Sequence, residues 1–240
     1  MPDTSDGRTA RRDRKRLAVL DAVLELFAAG DLNPSPDAVA AQSGLSLRSV
    51  YRYVADSEDL VHAAIGRHLE KVGPLFVIDR IGEGPFADRV EALVAARLAL
   101  YEAVAPAARA AELRAPTSAV LRDGLQVRRS TFRIQLEQQF APEISALTGS
   151  GRPASDPAPN GSPPGPACGG LAEPLLAAAD ALTQIETIGW YRDRGGYSAE
   201  QTYESLVMAL RRLLGAGTSD QSSTRSGAND QKQARGTERS

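Results

Sequence analysis

Apolar residues recur at helical spacing along most of this chain. The first stripe lies in RLAVLDAVLELFAAG and stops at Gly30, a residue suited to capping a helix C-terminus. No run of alternating β-branched residues is long enough to indicate a strand. The pattern therefore predicts an all-α fold, and its first stripe consists of Leu17, Leu20, Leu24 and Phe27.

Capping and turn residues predict three further helices before residue 75. Ser35, followed by a proline and an aspartate, favours the start of a short helix that runs to about Gln42. Gly44 breaks that helix, and Ser46 can cap the next one, SLRSVYRYV. The run Asp56-Ser57-Glu58-Asp59 resembles a capping box and opens a fourth helix that ends at Gly73-Pro74.

The remaining segments are longer and more coarsely patterned. The pattern predicts helices over about 86–103, shortly after Pro106, 117–140, 171–194 and 199–214. Residues 149–170 hold six of the chain's fifteen prolines and predict a flexible loop. Residues 216–240 carry no side chain both larger and more apolar than alanine, and predict a disordered tail.

Composition narrows the possible functions. The 240 residues include 28 basic and 30 acidic side chains, two histidines and one cysteine, Cys168, in the loop. An internal disulfide is excluded, and the usual zinc sites lack ligands. No nucleophile motif, P-loop or dinucleotide fingerprint occurs, so we expect neither an enzyme nor a cofactor. The polar N-terminus and the lack of a long apolar run predict a cytoplasmic protein without a signal peptide or membrane span.

The segment VAAQSGLSLRSVYRYV carries the most specific pattern. Val39, Leu45, Val50 and Val54 have the spacing that anchors two short helices joined by a glycine turn. The free face of the second helix then offers guanidinium, hydroxyl and aromatic groups, which major-groove recognition uses. The pattern predicts a helix-turn-helix.

Residues 17–60, and above all GLSLRSVYRYVADSEDL, resemble the N-terminal domain of the TetR family of bacterial transcriptional regulators. The resemblance implies a recognition helix over 46–54, with Tyr51 and Tyr53 touching the DNA backbone. It also implies a homodimer that binds a double-stranded palindromic operator, represses transcription, and is released by a small-molecule effector. The predicted DNA-binding residues are Ser35, Ser46, Leu47, Arg48, Ser49, Tyr51, Arg52, Tyr53 and Ser57.

The chain departs from the family pattern at two positions. Ser57, among acidic neighbours, replaces a lysine that often grips a phosphate, so backbone N–H groups and its hydroxyl would make that contact. Leu47 stands where a polar base-reading residue is common, and as an exposed side chain it could contact a thymine methyl. Residues 1–71 hold ten basic and eleven acidic side chains, so any positive field must be local.

These observations predict four segments: a flexible basic arm (1–14), a helix-turn-helix domain (15–72), a helical effector-binding and dimerisation domain (73–215), and the tail. The arm could follow DNA or remain a solvated end. Dimerisation is expected through residues 171–215 as a four-helix bundle. Leu206, Leu210 and Leu213 of the last helix, with Leu182 and Ile185 of the preceding one, would pack against the same pair of helices in a second subunit. The alternative function is a helical small-molecule-binding protein whose helix-turn-helix is only a scaffold. Candidate effector residues are Tyr101, Phe132, Gln184 and Trp190, although residues of this kind more often only fill a core.

Overall fold

A computed structural model describes residues 4–53, 57–149 and 172–215, with side chains from residue 9 onward except at 57 and 149. All regular structure in these ranges is helical, which confirms the all-α prediction. The ten helices are α1 (Thr4–Ala28), α2 (Pro36–Ser43), α3 (Leu47–Tyr51), α4 (Ser57–Val72), α5 (Phe86–Arg114), α6 (Ala119–Gln139), α7 (Ala141–Gly149), α8 (Ala172–Leu182), α9 (Ile185–Gly189) and α10 (Ala199–Gly215).

The chain forms two compact units. The first contains residues 1–77 and 99–130, and the second contains 78–98 and 131–240. The predicted boundary at 72/73 followed chain order, whereas parts of α5 and α6 belong to each unit. The division of α5 and α6 between the units could not be predicted from the sequence. Periodicity shows which face of a helix is buried but not which neighbouring helix covers it.

The core of the first unit is built from α1 to α4 and from parts of α5 and α6. Val23, Val39, Val50 and Val61 are fully buried at its centre. Small side chains of α5, including Ala110, complete the cluster and let the helices approach closely. The predicted anchors Val39 and Val50 are therefore core residues, as the helix-turn-helix pattern requires.

The first helix is longer than the sequence pattern predicts. α1 begins at Thr4, so the predicted flexible arm of residues 1–14 is helical from its fourth residue. Arg11, Arg12 and Lys15 are exposed on it. Periodicity could not locate this extension because it buries no apolar stripe. Its arginine, lysine and alanine residues nevertheless have high helix propensity.

Helix α5 is continuous where two helices were predicted. It includes Pro106, which lacks the N–H that would reach the carbonyl of residue 102 and usually breaks a helix. The residues on either side are buried, including Val104, Ala105, Ala107 and Ala108. Burial of these side chains offsets the lost hydrogen bond and the steric cost of the proline ring.

In the second unit, Arg89 joins α5 to α6 and α7. Its guanidinium donates to both carboxylate oxygens of Glu143 and to the backbone carbonyls of Gly84 and Gln139. The side chains of this ion pair are each only 6% exposed. All three guanidinium nitrogens of Arg89 therefore donate to oxygen atoms, and one acceptor is a carboxylate. These contacts compensate the cost of burying the charge.

The C-terminal helices differ from prediction at two places. Helix α7 was not predicted, and the single helix expected over 171–194 is instead α8, α9 and a π-helical turn at Trp190–Arg194. Thr183 lies at the break between α8 and α9, and its hydroxyl donates to the carbonyls of Ala179 and Asp180 at 3.1 Å each, in competition with the backbone hydrogen bonds of a helix. Gln184 is then extended and begins α9.

Three predictions fall wholly or almost wholly outside the described residues. These concern the loop of 149–170, of which only Gly149 is described as the end of α7, Cys168 within that loop, and the tail of 216–240. Where the chain is described, none of its helices has the length and apolar character needed to cross a membrane.

Candidate functional site

The turn between α2 and α3 has the geometry of a helix-turn-helix. Gly44 adopts the left-handed conformation (φ 67°), which glycine tolerates without steric cost, and ends α2. The N–H groups of Gly44 and Leu45 donate to the carbonyls of Ala41 and Ala40, which closes the C-terminus of α2. Both predicted N-caps are confirmed, because Ser35 and Ser46 accept hydrogen bonds from the N–H groups three residues later.

Apolar contacts hold the inner face of helix α3 against the core of the first unit. Val50 is fully buried, and Leu47 is half-buried against the same core. Leu47 is therefore less exposed than expected, and its contact with a thymine methyl stays a prediction. A hydrophobic side chain at the first position of α3 can turn toward the core of α1 and α4, a choice that sequence spacing alone left open.

The outer face of α3 presents Arg48 and Tyr51. Arg48 is exposed, and 54% of Tyr51 is exposed. Ser49 is half-buried, and its hydroxyl lies 2.9 Å from that of Ser46, so it reinforces the N-cap. This face therefore combines one guanidinium and one phenol on a helix whose opposite side is anchored.

Arg52 and Tyr53 form a pair just after α3. The Nη2 group of Arg52 donates to the Tyr53 hydroxyl at 2.7 Å, and its guanidinium lies 5.0 Å from the ring centroid. The Tyr53 ring packs partly against the core. Arg52 is the C-cap of α3 rather than part of its helical face, since α3 ends at Tyr51 instead of near Ala55. Ser57 begins α4, but its side chain is outside the described set.

Arg114 holds the loop between α1 and α2, a contact that sequence reasoning missed. Its Nη1 group donates to the carbonyl of Leu32 at 2.7 Å, and its Nη2 group donates to Asn33 Oδ1 at 2.8 Å. Burial lowers the pKa of Arg114, while the charges of Asp31 and Glu58 act in the opposite direction. This loop precedes α2 directly, so Arg114 helps to position the helix-turn-helix.

Arg97 forms a second candidate site in the other unit. It is 1% exposed, and its guanidinium lies 3.7 Å from the ring centroid of Phe132. Its Nη1 and Nη2 groups donate to Gln135 Oε1 at 2.7 Å and, more weakly, to the Phe132 carbonyl at 3.4 Å. Burial lowers the pKa of Arg97 to about 10, and the charge of Asp180 opposes that shift.

Of the four predicted effector residues, Phe132 contacts Arg97 directly, and Gln184 is related to it only through Asp180, whose charge acts on Arg97. These residues and Gln135 are called the Arg97 cluster. The guanidinium of Arg97 packs on the ring of Phe132, and the amide of Gln184 donates to Asp180 Oδ1 at 2.8 Å. Trp190 is instead 53% exposed and contacts Tyr191 edge-on, and Tyr101 is buried in the first unit. Arg97 itself was not among the predicted residues because an arginine within an amphipathic helix usually lies at the surface.

The predicted dimer stripe is wrong for three of its five residues, whereas Leu182 and Leu213 are half-buried. Leu206, Leu210 and Ile185 are 0%, 0% and 3% exposed within one subunit, so they cannot pack against a second subunit. Leucines at helical spacing mark a buried face without showing whether the same chain covers it. The exposed apolar or small side chains of α8 to α10 and of the π-helical turn are instead Pro174, Ala177, Ala178, Ala181, Trp190, Ala199 and Met208.

Comparison with known proteins shows a similarity of fold. No family model and no curated protein matches the chain. A solved transcriptional regulator from Rhodococcus sp. Rha1 superposes with a TM-score of 0.50 at 21% identity, over 85% of this chain and 95% of that chain. The chain therefore has a fold similar to that of a transcriptional regulator.

Proposed function

We propose that this protein is a DNA-binding transcriptional regulator of the TetR family. The observation that carries the proposal is α3, a short capped helix with Val50 buried on one side and Arg48 and Tyr51 exposed on the other. A helix held in this way by a preceding helix and a tight turn fits the major groove of B-DNA. The fold likeness to a transcriptional regulator supports the regulator part of this proposal.

Arg48 is the best candidate for reading a base. An arginine in the major groove can donate two hydrogen bonds to a guanine, and such a pair contributes about 1–3 kcal/mol of discrimination. Arg52 is less suited to this role, since its Nη2 group already donates to Tyr53. The resemblance implies that Tyr51 and Tyr53 contact phosphates. The Tyr53 hydroxyl accepts a hydrogen bond from Arg52, and its O–H group can still donate to a phosphate.

Nonspecific affinity would come from the start of α1 and the N-terminus of α4. Arg11, Arg12 and Lys15 fall within about 100° of the α1 circumference and are exposed, so they could lie along a phosphate backbone. Glu58 and Asp59 in the first turn of α4 oppose phosphate binding. Backbone N–H groups and Ser57 would have to supply the attraction there.

The protein would act as a homodimer, since a palindrome presents two half-sites roughly 34 Å apart. We place the dimer contact on residues 171–215, through the exposed side chains of α8 and α10 rather than through the buried leucines. Met208, 51% exposed on α10, and Ala178, exposed on α8, are representative of this surface.

Repression is the direction of regulation that the family resemblance implies, with a small-molecule effector releasing the dimer from DNA. An effector can do so only if it binds the DNA-free conformation more tightly than the DNA-bound one. Phe132 and Gln184 are the predicted effector residues that the buried Arg97 cluster supports. No catalytic step is proposed.

Selection from random DNA followed by a gel-shift titration tests this function. We expect a palindromic sequence to be enriched and to be bound more tightly than a scrambled duplex of equal length and composition. The matched variant is Arg48→Ala, which should lose most of that preference. Folded protein that binds the two duplexes equally would contradict the regulator and favour the alternative, a small-molecule-binding protein with the helix-turn-helix as scaffold.

A further inference from the structure

Two buried polar atoms of opposite hydrogen-bonding character, the donor Arg97 Nε and the acceptor Gln184 Oε1, have no partner in the described part of the chain. A buried polar atom without a partner costs free energy, about 1–3 kcal/mol for each group. Such atoms therefore call for an explanation in terms of a bound molecule or a functional requirement.

The positive charge of Arg97 is also poorly compensated. Its hydrogen bonds go to two neutral oxygens, of Gln135 and of the Phe132 backbone. The carboxylate that acts on it, Asp180, is half-exposed and accepts a hydrogen bond from Gln184. By contrast, the equally buried Arg89 in the same unit has a carboxylate on two of its nitrogens.

The unused edge of the guanidinium has a defined geometry. Nε and Nη2 share one side of an arginine, and together they can donate to both oxygens of a carboxylate. Here Nε has no partner in the described part of the chain, and Nη2 has only the long bond to Phe132. A carboxylate bound side-on would therefore neutralise the charge and satisfy the orphaned donor together.

The residues around Arg97 indicate the chemical character of the rest of the ligand. Val90, Leu93 and Val94 precede Arg97 at helical spacing on the same side of α5 and are fully buried, so an apolar body would find apolar neighbours. Gln135 and Gln184 are half-buried, which extends the polar cluster from the core to solvent. A hydroxyl or N–H on the ligand could donate to Gln184 Oε1.

We propose that the Arg97 cluster is the binding site for a small carboxylic acid with an apolar body, held side-on by Arg97 and oriented by Gln184. The proposal rests on the proposed function in taking this acid as the effector. Carboxylate binding itself does not depend on any DNA result.

The first experiment compares acids with their neutral isosteres on the full-length protein. Benzoate, phenylacetate and octanoate are titrated by calorimetry, each alongside its primary amide, and the melting temperature is recorded with each compound. We expect at least one acid to bind about 10- to 100-fold more tightly than its amide, because hydrogen bonds to a charged group are lost in the amide. If none of the acids binds better than its amide, the proposal is overturned without any variant being needed.

The second experiment removes the guanidinium. Arg97→Met should reduce the affinity for the acid to that of the amide and leave amide binding unchanged. Arg133→Met is the matched control, since it makes the same substitution and charge change at a partly exposed arginine in the same unit. Acid affinity that is equal in wild type and Arg97→Met, or is lost equally in Arg133→Met, contradicts the assignment.

Two further variants keep the proposal testable if Arg97→Met does not fold. Arg97→Lys keeps the charge but cannot bind side-on, so its acid affinity should lie between those of wild type and Arg97→Met. Gln184→Leu should weaken 4-hydroxybenzoate more than benzoate if Gln184 accepts from the ligand hydroxyl. Equal weakening of the two acids would contradict that role for Gln184.

DNA measurements then separate this inference from the proposed function. Acid binding that depends on Arg97 and releases the selected DNA supports both. Acid binding that leaves DNA affinity unchanged supports the site but contradicts the effector role. Release of DNA by amides as readily as by acids contradicts the carboxylate site while the regulator stands.

Discussion

Arg114 Nη1 lies 2.7 Å from the carbonyl oxygen of Leu32, so the last residue of α5 holds the loop that leads into α2. The same nitrogen also donates to the carbonyl of Ala110, one turn earlier in α5. The loop that leads into the helix-turn-helix is therefore held by a guanidinium more than eighty positions away in sequence.

Replacing Arg114 with methionine should destabilise the first unit. The carbonyl of Leu32 and the amide of Asn33 would lose their donor, and we expect the free energy of unfolding to fall by about 1–3 kcal/mol. Urea denaturation measures this change. Arg122→Met is the control, since that exposed arginine makes only a 3.4 Å hydrogen bond to Ala115. A similar loss in both variants would show that Arg114 has no special positioning role.

Asp21 should make stability depend on pH. Hydrogen bonds from Arg67 lower its pKa below the ordinary 3.8, although burial acts in the opposite direction. Its stabilising contribution is therefore complete above pH 3.8 and is lost as the pH falls through the folded-state value. Asp21→Asn should cost about 0.2–1 kcal/mol at pH 7, with the difference from wild type closing below pH 3.8. A difference that is constant from pH 7 to strongly acidic conditions would contradict this account.

Gly44 should tolerate asparagine better than alanine. A Cβ atom at this position meets nothing within 4 Å, so the cost of substitution comes from the left-handed backbone alone. We expect Gly44→Ala to lower the free energy of unfolding by about 1–2 kcal/mol. Gly44→Asn should cost less, because asparagine adopts this conformation more readily. Thermal denaturation of the two variants tests the order, and a less stable asparagine variant would reverse it.

The sequence predicted these local features because they depend on neighbouring residues only. Ser35, Gly44 and Ser46 act on backbone groups within three or four positions, and all three hold the predicted roles. The partial burial of Leu47 could not be predicted, for the opposite reason. Whether its side chain faces solvent or the core of the unit depends on helices that are distant in sequence.

Arg48 and Tyr51 should affect DNA binding in different ways. Loss of a base contact in Arg48→Ala should cost about 1–3 kcal/mol on the selected sequence and relax the preference at one base pair. Tyr51→Phe should weaken the selected and scrambled duplexes by equal factors, since a phosphate contact carries no sequence information. Fluorescence anisotropy on both duplexes measures these ratios. An equal loss on both duplexes for Arg48→Ala would remove Arg48 from the base-reading role.

Charged residues on the exposed face of α8 and α10 should disrupt the dimer. We expect the double variant Ala178→Glu with Met208→Glu to sediment as a folded monomer, because both positions are exposed within one subunit. Ile134→Glu, at an equally exposed residue on α6, is the control and should remain dimeric. A double variant that is still dimeric would show that the contact lies elsewhere. Leu206→Glu should instead unfold the protein, which circular dichroism would detect.

The Arg97 cluster marks the limit of sequence reasoning in this chain. Phe132 and Gln184 were candidates only because they are an aromatic and an amide in an apolar region. Phe132 of α6 contacts Arg97 of α5. Gln184, which precedes α9, donates to Asp180 of α8, whose charge acts on Arg97. Helical periodicity places Arg97 on an apolar face but cannot show which groups remain without partners there. That property depends on side-chain geometry in the folded unit.

The small size of α3 has a consequence for how new DNA specificities could evolve. A five-residue helix has almost no stability of its own, so its shape is maintained by Val50, Leu47 and the Ser46 cap. Arg48 and Tyr51 contribute little to that support. Mutation can therefore vary the outer face widely at small cost in stability, while the inner face keeps the helix in place. One scaffold could in this way acquire different target sequences by changing only two or three side chains.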